Sequence, residues 1–303
     1  MTAAGGTQSF NAEAALHALT LACADLGLNR SGATRLGPVG DNATFLLPSE
    51  HVVARVAWGS AALDRVKREL RVSAWLAAQG VPAVRVAAVP GQPVTADGRI
   101  ITFWEEIPSA QQASTREMGA LLRRLHALPP PPDGMLPPFN PFIRQQAHVD
   151  QAVNLSEADR HFLLDLIAEL KAAYARLRFH HPAKAIHGDP HRKNLVRDAN
   201  GTTLMLDLER FSVGPPEWDA IIPAVYHRIG WYTADEVAAF TAAYGWDVTT
   251  WDGFATLARV RQLRMTTWLA GRTGREPRLL PEVRLRIATL RDPSVARTWT
   301  PGT

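Results

Sequence analysis

The chain has 303 residues, 46% hydrophobic and 20% charged, which is ordinary for a globular protein long enough for two domains. Its 33 basic and 29 acidic residues leave a net charge of +4 without any run of five or six like charges, so nothing predicts a nucleic-acid-binding patch. No apolar stretch of 18 residues predicts a membrane span, and no signal-peptide pattern is visible. The only cysteine is Cys23, which we expect to be a buried apolar side chain. A chain with one cysteine is typical of a reducing compartment, here the cytoplasm.

The first predicted elements are a helix and two strands. Asn11 caps a helix from Ala12 to Leu26 that Gly27 ends. Two strand-like runs follow, residues 36–47 and 52–58, with a glycine-containing turn. Glycines allow backbone N–H groups to approach an anion closely, so this turn is a candidate phosphate loop, although an ordinary hairpin turn has the same pattern.

One cation interrupts the second strand, because Arg55 stands within an otherwise apolar run. A charge on a buried strand needs a partner. The following helix, predicted over Leu63–Ala78, contains Glu69, which we predict as that partner. The alternative is a surface pair between Glu69 and Arg65, four residues earlier on the same helix.

The next segments lead into a second, largely helical half. A hairpin of 85–89 with 100–104 is predicted around Gly91–Gly98, and Trp104–Pro108 then forms a linker. A capping box of Thr233 and Glu236 marks one later helix. The predicted helices of this half are 118–128, a helix capped by Ser156 that runs to about Phe179, 234–244, 252–270 and 277–290. Between the first two lies a loop, residues 129–141, in which seven of 13 residues are proline.

Most of the chemistry is concentrated in residues 185–211, AIHGDPHRKNLVRDANGTTLMLDLERF. This stretch is typical of a strand, a polar loop and a hairpin that turns at Asn200–Gly201. If those two residues form the turn, paired positions sum to 401 and Asn194 faces Asp207. A four-residue turn from Asp198 would break this register.

The spacing of three polar residues predicts phosphoryl transfer. Asp189 precedes Asn194 by five residues, and a hairpin leads on to Asp207. In such a layout the first Asp accepts the proton of the attacking hydroxyl, while the Asn and the second Asp hold Mg²⁺ on the nucleotide phosphates. The alternative is a surface hairpin in which Asp189 and Asn194 only form turns.

HGDPHRKN, residues 187–194, resembles the catalytic loop of the aminoglycoside phosphotransferase and choline kinase-like family. Gly188 and Pro190 stand where protein kinases have Arg and Leu, and Asp207 begins a D-L-E sequence in place of D-F-G. Residues 214–219 resemble the family's G-x-P-x-x-D segment, in which Asp219 is expected to accept hydrogen bonds from the catalytic loop. The resemblance covers most of residues 33–290.

This resemblance implies an α+β, two-lobed protein-kinase-like fold, with a small β-rich N-lobe over 1–107 and a larger helical C-lobe over 108–303. It implies ATP or GTP and Mg²⁺ as cofactors and a small-molecule hydroxyl as acceptor, on an aminoglycoside, a macrolide, a sugar or choline. Antibiotic resistance is one role such an enzyme could have. The implied partners include neither nucleic acid nor membrane, and the chain is expected to be a monomer or homodimer.

The resemblance also assigns roles to residues. The catalytic pair is Asp189 with His187, whose imidazole is expected to brace the loop. Arg55 takes the place of a phosphate-contacting Lys, and the hinge would read the adenine edge with its backbone groups. The metal ligands would be Asn194 and Asp207, and the nucleotide-binding residues Gly40, Asn42, Arg55, Glu69, Glu105 and Ile107.

Two other functions stay open at this point. A kinase-like scaffold could bind nucleotide without turnover. A zinc hydrolase could use the histidine-rich run formed by His180, His181, His187, Asp189 and His191. Asn194 and Asp207 would have no role in such a hydrolase.

The end of the chain is basic, with ten arginines and three acids from Ala255 onward. We interpret it as a solvated helical surface, and Trp246, Trp251 and Trp268 as packing residues. If the arginines instead line the acceptor cleft, they would repel polycations. The preferred acceptor is then expected to carry at most one positive charge.

Overall fold

The computed structural model describes residues 11–40, 42–292, 294–295 and 298–302, without the side chain of Ser60. The chain forms two compact units. The first comprises Met1–Gln112 and Leu195–Phe211, and the second Ala113–Asn194 and Ser212–Thr303. The sequence-based division after residue 107 differs from this one mainly because it assigned the segment 195–211 to the second half.

The elements are numbered along the chain. The helices are α1 Ala12–Leu26, α2 Leu63–Ala78, α3 Thr115–His126, α4 Gln145–Gln151, α5 Glu157–Ala175, α6 Glu217–Ala220, α7 Ile222–Arg228, α8 Ala234–Tyr244, α9 Phe254–Arg272 and α10 Leu280–Arg291. The strands are β1 Thr34–Arg35, β2 Asn42–Leu47, β3 Val52–Ala57, β4 Val94–Ala96, β5 Arg99–Glu105, β6 Gln111–Gln112, β7 Lys184–Ile186, β8 Leu195–Arg197, β9 Thr203–Met205 and β10 Ser212–Gly214. Among the described residues, no helix has both the length and the apolar composition to cross a bilayer.

The first unit is built on an antiparallel five-stranded sheet in the order β1-β2-β3-β5-β4. Buried residues alternate along β2 and nearly so along β3, as expected for strands with one core face. Helix α1 contributes Leu19 and the buried Cys23 to the same apolar core as Phe45 and Phe103. The predicted boundaries of α1 and α2 and the predicted burial of Cys23 are confirmed.

The predicted hairpin between residues 85–89 and 100–104 is only partly right: the two segments pair antiparallel at one bridge, where the N–H of Ala87 donates to the Phe103 carbonyl (3.0 Å). Residues 85–89 form no strand, although Val86 makes an isolated bridge to Trp104. β5 pairs instead with β4 through a two-residue turn at Asp97 and Gly98. Both turn residues have positive φ, 47° and 68°, the conformation that tight hairpins of this kind require.

The predicted register of the second hairpin is wrong. β8 and β9 pair Leu195 with Met205 and Arg197 with Thr203, so positions sum to 400 and Asn194 does not pair with Asp207 in the ladder. The cause is the four-residue turn from Asp198, whose carboxylate accepts hydrogen bonds from the N–H groups of Asn200 (2.9 Å) and Thr202 (2.8 Å).

The second unit is mostly helical. The Ser156 cap and the Thr233–Glu236 capping box are both present, as predicted. α3 lies directly against α8, with no room for a side chain at Gly119: a Cβ there would stand 2.6 Å from the carbonyl oxygen of Phe240. This close approach packs α3 tightly against α8.

Strands β7 and β10 form an antiparallel pair in the second unit. The proline-rich loop borders this pair, because Phe139 N–H donates to the Val213 carbonyl (2.8 Å) and the Phe139 ring packs on Trp218, 4.8 Å between centroids. The loop after β7 contains Asp189, so this pair holds the stem of the predicted catalytic loop.

Candidate active site

The backbone of the predicted catalytic loop is held by one buried carboxylate. Asp219 is fully buried on α6, and it accepts hydrogen bonds from the N–H groups of His187 (2.7 Å) and Gly188 (2.9 Å). The indole of Trp218, its neighbour, donates to the Gly188 carbonyl (2.9 Å). The predicted structural role of Asp219 is confirmed.

A second layer of side chains holds Asp219. The Nε2 atom of His126 lies 3.2 Å from the Asp219 carboxylate, and its Nδ1 atom lies 2.9 Å from the hydroxyl of Tyr244. Burial raises the pKa of Tyr244, and the negative charge of Asp219 raises it further, so the phenol keeps its proton. In the tautomer that satisfies both contacts, Tyr244 donates to His126 and His126 donates to Asp219.

Two predicted site residues hold the backbone of Asp189. Its N–H donates to Nδ1 of the buried His187 (3.3 Å), and the Asn194 amide donates to its carbonyl (3.0 Å). Both backbone polar groups of Asp189, its N–H and its C=O, are therefore held by side chains of the loop. The expected bracing by the His187 imidazole is confirmed, while the catalytic role assigned to this pair stays a prediction.

A contact between Asp189 and Arg261 was not predicted from the sequence. Arg261 lies on α9, is only 3% exposed, and donates from Nη2 to Oδ1 of Asp189 and to the Tyr226 hydroxyl (3.3 Å). Burial alone would lower the pKa of Arg261, but the charge of Asp189 and the hydrogen bonds to both partners leave that pKa above its ordinary value. The guanidinium therefore stays charged.

The interpretation of the basic C-terminal region as a solvated surface is thus wrong for two arginines. Arg261 and Arg286 are 3% and 1% exposed. Arg286 donates to the Glu282 carboxylate (2.7 Å), and its guanidinium carbon lies 4.7 Å from the centroid of Trp299. Arg275, Arg278 and Arg284 are exposed as predicted, and Arg297 lies outside the described residues.

The first unit contains the predicted pair of Arg55 and Glu69. Arg55 Nη1 donates to Glu69 Oε2 (2.9 Å), which confirms this pairing over the alternative with Arg65. Glu69 is 4% exposed, and burial raises its pKa although the nearby Arg55 opposes that shift. The ion pair places a cation at the sheet surface, 3.8 Å from Oδ1 of Asp207.

Asp207 has the features of a metal ligand. Its backbone is in the left-handed region, φ 53°, which is unfavourable for a residue with a side chain and is typical of functional positions. Its Oδ1 atom is buried and accepts no hydrogen bond within the described part of the chain. A buried carboxylate oxygen without a donor fits a hard cation such as Mg²⁺.

The turn after Asp207 is tied to α2 by contacts that sequence reasoning missed. Glu209 makes an ion pair with Arg65, and its carbonyl lies 3.5 Å from the guanidinium of Arg68. Both arginines are on the helix that carries Glu69. These contacts couple the position of Asp207 to that of the Arg55–Glu69 pair.

The other predicted nucleotide residues lie at or beyond the ends of two inner strands of the sheet, β2 and β5. Gly40 precedes β2, and its N–H donates to the carbonyl of Asn42 (3.1 Å), so that N–H is engaged within the turn. In the hinge, the N–H of Glu105 donates to the Arg85 carbonyl (2.9 Å), so only the carbonyl of Glu105 could contact an adenine. The adenine-facing roles of Glu105 and Ile107 stay predictions.

The zinc-hydrolase alternative has no support among the described residues. No group of three or more His, Cys, Asp or Glu side chains there is placed to hold a metal ion. The histidine-rich run is instead used for packing: the ring of His180 stacks on Trp246 (5.0 Å), and Nδ1 of His181 lies 3.1 Å from the carboxylate of Glu217.

A profile of the phosphotransferase enzyme family APH matches residues 33–263. No curated protein matches the chain.

Similar solved structures include a choline/ethanolamine kinase family protein from Mesorhizobium loti (20% identity, TM-score 0.60, covering 90% of this chain and 93% of that one). Others are the amicoumacin kinase hAmiN with AMP-PNP, Ca²⁺ and Ami (12%, 0.70, 93% and 95%) and APH(2")-IIia with GDP and kanamycin (15%, 0.66, 92% and 99%). The likeness shows the α+β protein-kinase-like fold that the sequence predicted.

Proposed function

Because the chain belongs to the phosphotransferase enzyme family APH, we propose that it transfers the γ-phosphate of ATP or GTP to a hydroxyl group of a small molecule. The observation that carries this proposal is the placement of the Asp189 carboxylate on a firmly held loop. The loop backbone donates hydrogen bonds to the side chains of Asp219 and His187 and accepts one from the Asn194 amide. A base held this firmly is suited to orienting a hydroxyl group. The cytoplasm, where both nucleotides are abundant, is the proposed location.

In the proposed reaction, the acceptor oxygen forms a bond to the γ-phosphorus while the bond from that phosphorus to the bridging oxygen breaks. The nucleoside diphosphate leaves with the bond electrons, and Asp189 takes the hydroxyl proton. Arg55, fixed by Glu69, would neutralise phosphate charge. Asp207 and Asn194 would hold Mg²⁺, which when bound neutralises charge on the phosphates.

The proposed acceptor is neutral or anionic, or carries at most one positive charge. The support is that two acids of this region are already paired with cations: Asp189 with the buried Arg261, and Glu236 of α8 with Arg192 of the catalytic loop. A polycationic acceptor favours an acidic groove with free carboxylates. We therefore expect a neutral sugar or a macrolide to be preferred to an aminoglycoside of the kanamycin type.

The first experiment is transfer of ³²P from ATP and from GTP to a panel of sugars, amino alcohols, macrolides and aminoglycosides, at low and high salt. A preference for aminoglycosides of about tenfold or more in kcat/KM, weakened by salt, would contradict the proposed acceptor charge. Nucleotide binding without transfer to any acceptor, water included, would favour the scaffold alternative over an enzyme.

The second experiment tests Asp189 with the acceptor identified in this way. Asp189→Asn should lower kcat by at least about 10²-fold, the scale typical of a positioned general base, and leave nucleotide binding near the wild-type value. Turnover within a few-fold of wild type would reject Asp189 as the base.

A further inference from the structure

The carboxylate of Asp189 is contacted by an arginine that the phosphoryl-transfer layout does not call for. Arg261 comes 72 residues later, in the middle of α9, and lies in the same compact unit. Its Nη2 atom donates to Asp189 Oδ1, and its side chain is 4% exposed. This side chain is therefore part of the protein interior, and substrate contact does not explain its presence.

Arg261 is itself held in place on two sides. The hydroxyl of Tyr226 accepts a hydrogen bond from the same Nη2 atom (3.3 Å), and the guanidinium carbon lies 5.5 Å from the ring centroid of Trp218. Burial raises the pKa of Tyr226, so it remains a neutral phenol beside the cation. A guanidinium fixed by an aromatic face and a phenol can hold a carboxylate in one direction, because its N–H donors are rigidly placed.

These contacts act on two different parts of Asp189. His187, Asn194 and Asp219 all act on the loop backbone. Arg261 acts on the carboxylate itself. Backbone contacts leave the side-chain torsions of Asp189 undetermined, whereas a hydrogen bond to Oδ1 restrains them. Such restraint matters, because a displacement of about 1 Å in a reacting group can cost on the order of 10²-fold in rate.

We propose that Arg261 is a positioning residue that holds the Asp189 carboxylate in the orientation that receives the acceptor's hydroxyl proton. This inference rests on the proposed function. It requires that Arg261 act through Asp189 alone, so its removal should lower kcat and leave the KM for nucleotide unchanged. It also requires that another side chain able to donate to Oδ1 restore part of the activity.

The test uses full-length Arg261→Met and Arg261→Lys, with Arg286→Met as the matched control. Arg286 is equally buried and ion-paired in the same unit, so its loss reports what removing a buried arginine does through stability. The activity probe is phosphate release from ATP or GTP with water as acceptor, or transfer to the acceptor found in the panel. We expect a kcat loss of about 10- to 100-fold for Met, partial recovery for Lys, and a loss below about threefold for the control.

The double variant Asp189→Asn/Arg261→Met separates positioning from a general structural effect. If Arg261 acts through Asp189, adding Arg261→Met to Asp189→Asn should change kcat by less than about twofold. The reason is that the effects of two residues that act through one another are not additive. Crystal structures of wild type and Arg261→Met supply a measurement independent of activity. The Asp189 carboxylate should leave its wild-type rotamer in the variant.

Two results would overturn the inference: a carboxylate that keeps its wild-type position in Arg261→Met, or a kcat loss that persists in the Asp189→Asn background. Failure of the proposed function looks different. In that case Asp189→Asn itself retains wild-type turnover, whatever Arg261→Met does.

Discussion

Replacing Asp219 by Ala tests how much of the catalytic loop depends on a single buried carboxylate. The change leaves two buried N–H groups, of His187 and Gly188, without their acceptor. Each unsatisfied buried donor costs about 1–3 kcal/mol, so we expect the free energy of unfolding to fall by about 2–6 kcal/mol. Domains are stabilised by only about 5–15 kcal/mol, so this loss is a large fraction of the total. Turnover should also fall at least about tenfold, because the loop that carries Asp189 is no longer fixed.

The measurement is urea unfolding followed by tryptophan fluorescence, which the indole contact of Trp218 with the loop makes sensitive to this region. Asp165→Ala is the control, because Asp165 is exposed on α5 and its loss should change stability by less than about 0.5 kcal/mol. Asp219→Asn keeps one acceptor oxygen and should fall between wild type and Ala. A loss below about 1 kcal/mol in Asp219→Ala, with turnover intact, would refute the reasoning.

Three further predictions concern both units. Asp207→Ala should abolish Mg²⁺-dependent nucleotide binding in calorimetric titrations, and binding that still responds to Mg²⁺ would contradict its role as metal ligand. Burial raises the pKa of Glu69 above its ordinary value of 4.5, so its carboxyl binds a proton more tightly in the fold than in the unfolded chain. The stability that this proton binding contributes is present below pH 4.5 and is lost as the pH rises through the folded pKa. In urea titrations, the unfolding free energy of wild type minus that of Glu69→Gln should therefore decline over that pH range. A difference that stays constant with pH would contradict the raised pKa. Gly119→Ala should cost about 1–3 kcal/mol in the same assay, because its Cβ would stand 2.6 Å from the Phe240 carbonyl oxygen, and an unchanged midpoint would contradict the tight packing of α3 on α8.

Features that depend on neighbouring residues could be predicted from the sequence. Asn11 and Gly27 give the ends of α1, since a cap acts on N–H or C=O groups within one turn of the helix. The pairing of Arg55 with Glu69 follows from the cost of an unpaired charge on a buried strand and from the acid on the next helix. The motif around Asp189 is local as well, and its spacing together with the family resemblance of residues 187–194 led to the prediction of phosphoryl transfer.

Features that join distant segments, or that depend on two competing local signals, became visible only in the folded chain. The register of β8 and β9 depends on whether the turn is formed by Asn200–Gly201 alone or begins at Asp198. It begins at Asp198, because the Asp198 carboxylate accepts hydrogen bonds from two backbone N–H groups of the turn. Arg261 belongs to a stretch whose ten arginines look equivalent in the sequence. Its separation from Asp189 by 72 residues carries no periodic signal, and only the packing of α9 brings its guanidinium to that carboxylate and buries it.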